Sequence, residues 1–285
     1  MPDFALIDTH VHLWQRDQLE RSWLAGDATL DQDYGLAEFT QATSIQAVEA
    51  FVFVETGVEP AQALAEASWV VELAQQDKRL QGIVAAAPLE LGAAATQHLQ
   101  ALTTLGPLIK GVRRNVQSEA LGFCLSPNFL EGVQVLADYN FSFDLCIRHE
   151  QLPEVIQLVE RCPQVRFILD HLGKPAIARE EREPWRKRLN ELARHPNVAC
   201  KISGVVTEAN HSTWKPDDIK PYIHDALNAF GEERVLFGSD WPVMLLASSY
   251  TRWVETLDAL TSELSTTARE KLWRANARHW YRLEA

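Results

Sequence analysis

Cysteine is scarce in this chain, with four in 285 residues. None forms a C-x-x-C pair, so the spacings fit neither a zinc ribbon nor a disulfide framework. Cys146 and Cys200 lie inside apolar runs. All four thiols read as small buried hydrophobes in a reducing compartment. Basic runs are also missing. Lys plus Arg is 27 against 39 Asp plus Glu, a net charge of −12. An acidic chain without a basic stretch is a poor partner for nucleic acid or an anionic membrane. No apolar segment is long enough to span a bilayer, and the start, Met1-Pro2-Asp3-Phe4, has no basic n-region. The expected location is the cytoplasm. No break in composition marks a domain boundary, so residues 1–285 are expected to form one domain.

What is present is ordinary for a folded protein, with 46% hydrophobic and 23% charged residues. The chain alternates. Apolar runs at 4–8, 47–54, 82–87, 108–112, 141–147, 165–169, 198–202 and 235–238 are separated by segments of helical periodicity. Continuous apolar runs of this length suit strands buried on both faces of a parallel sheet. Between them, Ser126-Pro127 reads as a helix start, with a serine N-cap and proline at the first helical position. Residues 61–80 are expected to form a helix, Pro184 to open another, and Thr267 to Glu270 to form a capping box. Eight strands each followed by a helix is the count of a single (β/α)8 TIM barrel. The rival, a doubly wound sheet, usually has a glycine-rich phosphate turn after its first strand. Here the first run ends in Asp8-Thr9-His10-Val11-His12. The stretch from Leu13 to Tyr34 is long for a βα connection and would lie over the barrel mouth.

Polar groups gather where the apolar runs stop. His10 and His12, at i and i+2, share a strand face about 6–7 Å apart, within reach of one metal ion. Glu55 ends the second run, Arg113 and Arg114 the fourth, and Arg148 and His149 the fifth. His171 follows the sixth run and Asp240 the eighth. On a barrel these ends converge on one pocket, as a hydrolytic site requires. Each residue also has a purely structural reading. Glu55 is equally placed to cap a turn with Thr56 and Gly57. Trp14, Trp23 and Trp241 are placed either to pack or to stack on a sugar ring. His98, His195, His211, His224 and His279 read as surface or packing residues.

Four ordered motifs carry a resemblance. They are Ile7-Asp8-Thr9-His10-Val11-His12-Leu13-Trp14, Ile109-Lys110-Gly111-Val112-Arg113-Arg114, Leu169-Asp170-His171-Leu172-Gly173-Lys174-Pro175 and Phe237-Gly238-Ser239-Asp240-Trp241-Pro242. Together they resemble the amidohydrolase superfamily, in particular its sugar-acid lactonase branch. The resemblance implies a (β/α)8 barrel and water-driven opening of a lactone, with L-fuconolactone and L-rhamnonolactone as expected substrates. It implies Asp240 as the group that activates water, with His171 beside the water or the carbonyl. It implies His10, His12 and Asp240 as metal ligands, the two histidines binding substrate instead in metal-free relatives, with His149 a further ligand unless its neighbour Arg148 is the residue that faces in. Substrate contacts are expected from Arg114 or its neighbour Arg113, and from Glu55, Trp14 and Trp241. One divalent ion at most is expected, zinc first, because Lys110 shares a strand face with Val112 and Arg114 and takes no bridging role. A lactone is already electrophilic, so its opening does not by itself require the metal, and the need for one is left open. A metal-dependent decarboxylase of the same superfamily is the second reading, and a barrel kept only for binding is the third. The lactone is the expected small-molecule partner. A homo-oligomer is compatible with the tryptophans but not required by them.

Overall fold

The computed structural model describes residue 2 and residues 4–284. Eight parallel strands lie in sequence order, β1 to β8. They are β1 (Leu6–Val11), β2 (Val48–Val54), β3 (Leu80–Ala86), β4 (Ile109–Arg113), β5 (Ser142–Leu145), β6 (Arg166–Leu169), β7 (Val198–Ile202) and β8 (Val235–Phe237). Side chains close the ring: Thr9 Oγ1 donates to the Phe237 carbonyl at 2.6 Å. Main chain closes it above, where Asp240 N–H donates to His10 O and His12 N–H to Trp241 O. This is a (β/α)8 TIM barrel.

The helices that cover the sheet include α1 (Leu36–Ala42), α2 (Ala63–Gln76), α3 (Ala95–Thr104), α4 (Pro127–Val135) and α5 (Leu152–Arg161). They continue with α6 (Trp185–Leu192), α7 (Pro216–Phe230) and α8 (Tyr250–Leu260), then α9 (Thr266–Glu270) and α10 (Asn276–Tyr281). α2 is shorter than its apolar pattern, because Asp77 adopts extended backbone and turns the chain into β3. The cap of α9 is Ser265, whose hydroxyl accepts from Ala268 N–H, and not Thr267. Ser126 is the N-cap of α4, as its sequence indicates, but its side chain makes no cap bond.

Two apolar clusters result. The larger fills the space between sheet and helices. The smaller is the barrel interior, where Ile7, Val52, Val84, Ile168 and Leu236 meet Trp280, Tyr281 and Leu283 from the end of the chain. The last helix therefore plugs the bottom of the barrel, leaving the C-terminal strand ends as the open mouth.

Strand β1 is displaced from its apolar run, 4–8, because it continues through polar residues that are nonetheless fully buried. Asp8 is held by Ser239 N–H and the Tyr250 hydroxyl. β1 also carries an irregularity. Asp8 opposes Phe51 and Val11 opposes Phe53, so three steps along β1 match two along β2. An extra residue of this kind reverses the in–out alternation beyond it. Ile7 points into the barrel and Val11 points out to the helices. Without the bulge, Val11 would point in and both histidines would point into the helix layer.

Candidate active site

The bulge places His10 and His12 on the inner face of the mouth, ring centroids 4.9 Å apart. Asp240 sits opposite. Its Oδ1 lies 3.3 Å from His12 Nε2, 3.6 Å from His10 Nε2 and 3.9 Å from His171 Nε2. All four residues are buried, yet His12, His171 and Asp240 line a cavity of about 330 Å³ with Trp23, Thr56 and Lys174. That volume suits a small-molecule ligand.

The backbone here is strained in a specific way. Asp240 has φ +66°, and His171, Leu172 and Lys174 have φ between +51° and +55°. Left-handed backbone at non-glycine residues costs on the order of 1–3 kcal/mol each and concentrates at functional sites. The turn swings the His171 ring back over the mouth, and Trp185 Nε1 holds it by donating to Leu172 O. Gly204 makes room. A Cβ there would lie 2.5 Å from His171 Nδ1 and 2.9 Å from Asp240 Oδ2. Only glycine fits that approach.

Charge in the site is set by burial and by neighbours. Burial alone would raise the Asp240 carboxyl, but His171, His12 and His10 hold it well below the usual carboxylate range. Burial pushes His171 down to about 4, so its ring is neutral near pH 7. His10 is lowered well below the ordinary imidazole range, by burial first and then by the Lys201 ammonium.

Two cations underlie these groups. Arg113, 5% exposed, donates from Nε to Glu55 Oε1 at 2.6 Å and approaches Asp170 Oδ2 and His10 Nε2, both at 3.4 Å. Burial is the largest single influence and works against its charge, but Glu55, Asp170 and Cys146 together outweigh it and raise the guanidinium pKa. Lys201, fully buried on β7, donates to Asp144 Oδ2 at 2.6 Å and lies 3.1 Å from both Asp170 Oδ1 and His10 Nδ1. Tyr281 from the plug completes this chain with a 2.5 Å bond to Asp144 Oδ2.

His10, His12 and Asp240 form one group able to hold a metal ion, and His10, Asp170 and His171 another. The donor atoms favour the first. In the second, the Lys201 ammonium already sits beside His10 and Asp170. In the first, His12 Nδ1 is 2.8 Å from the Val54 carbonyl and must donate to it. Its Nε2, a lone pair in the neutral ring, then faces the Asp240 carboxylate at 3.3 Å. Two acceptors so close call for a positive charge between them, a proton or a metal ion. The residues thus fit a divalent cation, with His12 and Asp240 its most open ligands.

Other expected residues are placed differently. Arg114 turns outward from the barrel and is held by Glu90 and Glu119, so Arg113 is the arginine of the inner face. Strand alternation explains this: Val112 faces the helices, and so does Arg114, two residues on. Trp14 and Trp241 are fully buried in an aromatic cluster with Tyr34 and Phe39 beneath the long first loop. They leave no ring face for a ligand; Trp23 is the tryptophan that lines the cavity. His149 lies outside the cluster and pairs with Glu150 at 3.2 Å, because β5 ends at Leu145 and the chain has turned away by then. Glu55 pairs with Arg113 and accepts from Gly57 N–H, the turn cap that its sequence position allows. Lys201, Asp144, Asp170, Ser203 and Gly204 belong to the site without having been singled out by sequence. A charged residue inside an apolar run, as in Val198-Ala199-Cys200-Lys201-Ile202, was the available signal.

Residues 7–283 match the amidohydrolase family over nearly the whole chain. The chain is an amidohydrolase. It is 32% identical to an L-fucono-1,5-lactonase of Burkholderia multivorans, over 97% of this chain and 96% of that one. An L-rhamnono-gamma-lactonase of Scheffersomyces stipitis is 22% identical over 97% of this chain and 98% of its own. A crystal structure of an amidohydrolase from Burkholderia multivorans with bound zinc superposes with a TM-score of 0.88. It is 32% identical and covers 99% of this amidohydrolase and 100% of its own chain. No helix among the described residues is long and apolar enough to cross a membrane.

Proposed function

We propose that this amidohydrolase opens sugar-acid lactones of the L-fuconolactone or L-rhamnonolactone type by attack of water on the cyclic ester. The observation that carries this reading is an ionised carboxylate, Asp240, ringed by three imidazoles on the wall of a ligand-sized cavity. Ester opening needs an activated water, stabilisation of the oxyanion and a proton for the leaving alkoxide. Asp240 is the base that accepts the proton of water and returns it to the ring oxygen. Its low pKa keeps it ionised. His171 is neutral, and its Nδ1 lies 2.9 Å from Ser203 Oγ. With the serine hydroxyl donating, Nε2–H is free to donate to the lactone carbonyl as negative charge develops there. Arg113 and Lys201 add positive charge beneath the site and keep His10 in place.

His10, His12 and Asp240 are the residues that would hold a divalent ion, zinc first. Such an ion supplies Lewis acidity and lowers the pKa of water from ~16 to ~7. We expect at most one ion per chain by elemental analysis, and two tightly held ions would contradict this. Full activity after exhaustive chelation would assign the histidines to the substrate directly. The four free, buried cysteines suit a cytoplasmic setting.

The reading is tested with a panel of sugar-acid lactones followed by a pH indicator. Failure to open any of them faster than buffer would sink it. On the best substrate, His171→Asn should lower kcat about 10²–10³-fold, the effect of losing one oxyanion donor. An unchanged kcat in the folded variant would remove His171 from that role.

A further inference from the structure

A second cavity, of about 250 Å³, adjoins the first at Gly57, Arg113 and Asn115, which line both. Its wall is apolar, built from Val58, Pro60, Ala63, Ala86, Ala87 and Pro88. The charged groups around it are already satisfied within the protein. Arg114 gives its guanidinium hydrogens to Glu90, Glu119 and the Asn115 carbonyl. Arg113 is taken by Glu55 and Asp170, and Glu55 by Arg113 and Gly57 N–H. Asn115 Oδ1 accepts from Gln117 N–H. The apolar side of this lobe therefore asks an occupant for no hydrogen bonds, and a polar group set against it would lose those it makes with water. The catalytic lobe differs, because His12, His171 and Asp240 line it with polar groups.

We propose that the second lobe takes an alkyl substituent carried on the lactone ring, so that the enzyme also opens lactones with deoxygenated side chains well beyond one methyl. This rests on the lactone-hydrolase reading. The ring reacts between Asp240 and His171, and the substituent passes Gly57, Arg113 and Asn115, which line both cavities, into the lobe. At roughly 30 Å³ per carbon, a share that already includes packing gaps, the lobe holds about eight carbons.

The test is a series of γ-lactones with unbranched side chains from methyl to dodecyl, with the matching 5-alkyl-2-pyrrolidinones as ring analogues that are not opened. In the wild-type enzyme, kcat/KM should rise about fourfold per added methylene, the effect of burying one CH2, and level off near eight carbons. The dissociation constants of the pyrrolidinones, from calorimetry, should fall in parallel. Ala86→Leu and Val58→Phe, each filling the lobe, should flatten both series while leaving the methyl lactone within about twofold of wild type. Either variant suffices if the other does not fold. Lactone opening that is indifferent to chain length, or a chain-length dependence that survives both variants, overturns the assignment. Pyrrolidinones that bind with the expected dependence while no lactone is opened would uphold the lobe and reject the lactonase reading instead.

Discussion

Asparagine in place of Asp240 is expected to lower kcat on the best sugar lactone by about 10²–10⁴, with KM little changed. The amide has the volume of the carboxylate and tolerates the φ of +66° at this position. It is also able to donate to His12 Nε2, so the fold should hold and circular dichroism should not change. What it lacks is a site that takes up the proton of water. Near wild-type kcat in the folded variant would move the base elsewhere. Glu55 is already committed to Arg113 and Gly57, so His171 would be next.

The second large effect is on stability. Lys201→Met should lower the free energy of unfolding by about 3–5 kcal/mol, because it leaves buried carboxylates without their counter-ion. Asp144 and Asp170 are both fully buried and both contact this ammonium. Asp144→Asn added to it should recover part of the loss, since one uncompensated charge is gone. A pH dependence follows. The Asp144 carboxyl is raised from 3.8 to about 6, by burial first, with Lys201 pulling it back down. A carboxyl raised in the folded state contributes stability that is complete below its unfolded value and is lost as pH climbs through its folded value. Without the lysine the rise is larger, so the deficit should be greater at pH 8 than at pH 5. Urea midpoints for the single and double variants at both pH values measure this. A midpoint for Lys201→Met equal to wild type would mean that the lysine is not charged in the folded protein.

The strands were legible because strands buried on both faces need unbroken apolar runs, and seven of the eight lie within about two residues of their runs. The first was misjudged by its end. The apolar run stops at Asp8, yet the strand continues to Val11, because Asp8, Thr9 and His10 are buried and hydrogen-bonded across the closure of the ring. The same blindness hid Lys201 and Asp144. Their cost is met by each other, by Asp170, His10 and Tyr281, and the contacting pairs are 31 to 191 positions apart, where no local pattern connects them. Arg113 and Arg114 were indistinguishable as neighbours, since alternation says that they point apart but not which one points in.

Sequence alone determined the barrel, the family and the strand ends at which chemistry is found, because hydrophobic period and short motifs are local. Only the tertiary structure decided which side chains face the mouth. One extra residue in β1 turns His10 and His12 inward. Burial in an aromatic cluster removes Trp14 and Trp241 from the cavity, and the end of β5 carries His149 away from the cluster. The left-handed turn at 171–174 and the bare Cα of Gly204 bring His171 up to Asp240. Each of these depends on contacts between segments far apart in the chain, where register, closure and burial are set by the whole ring of strands at once.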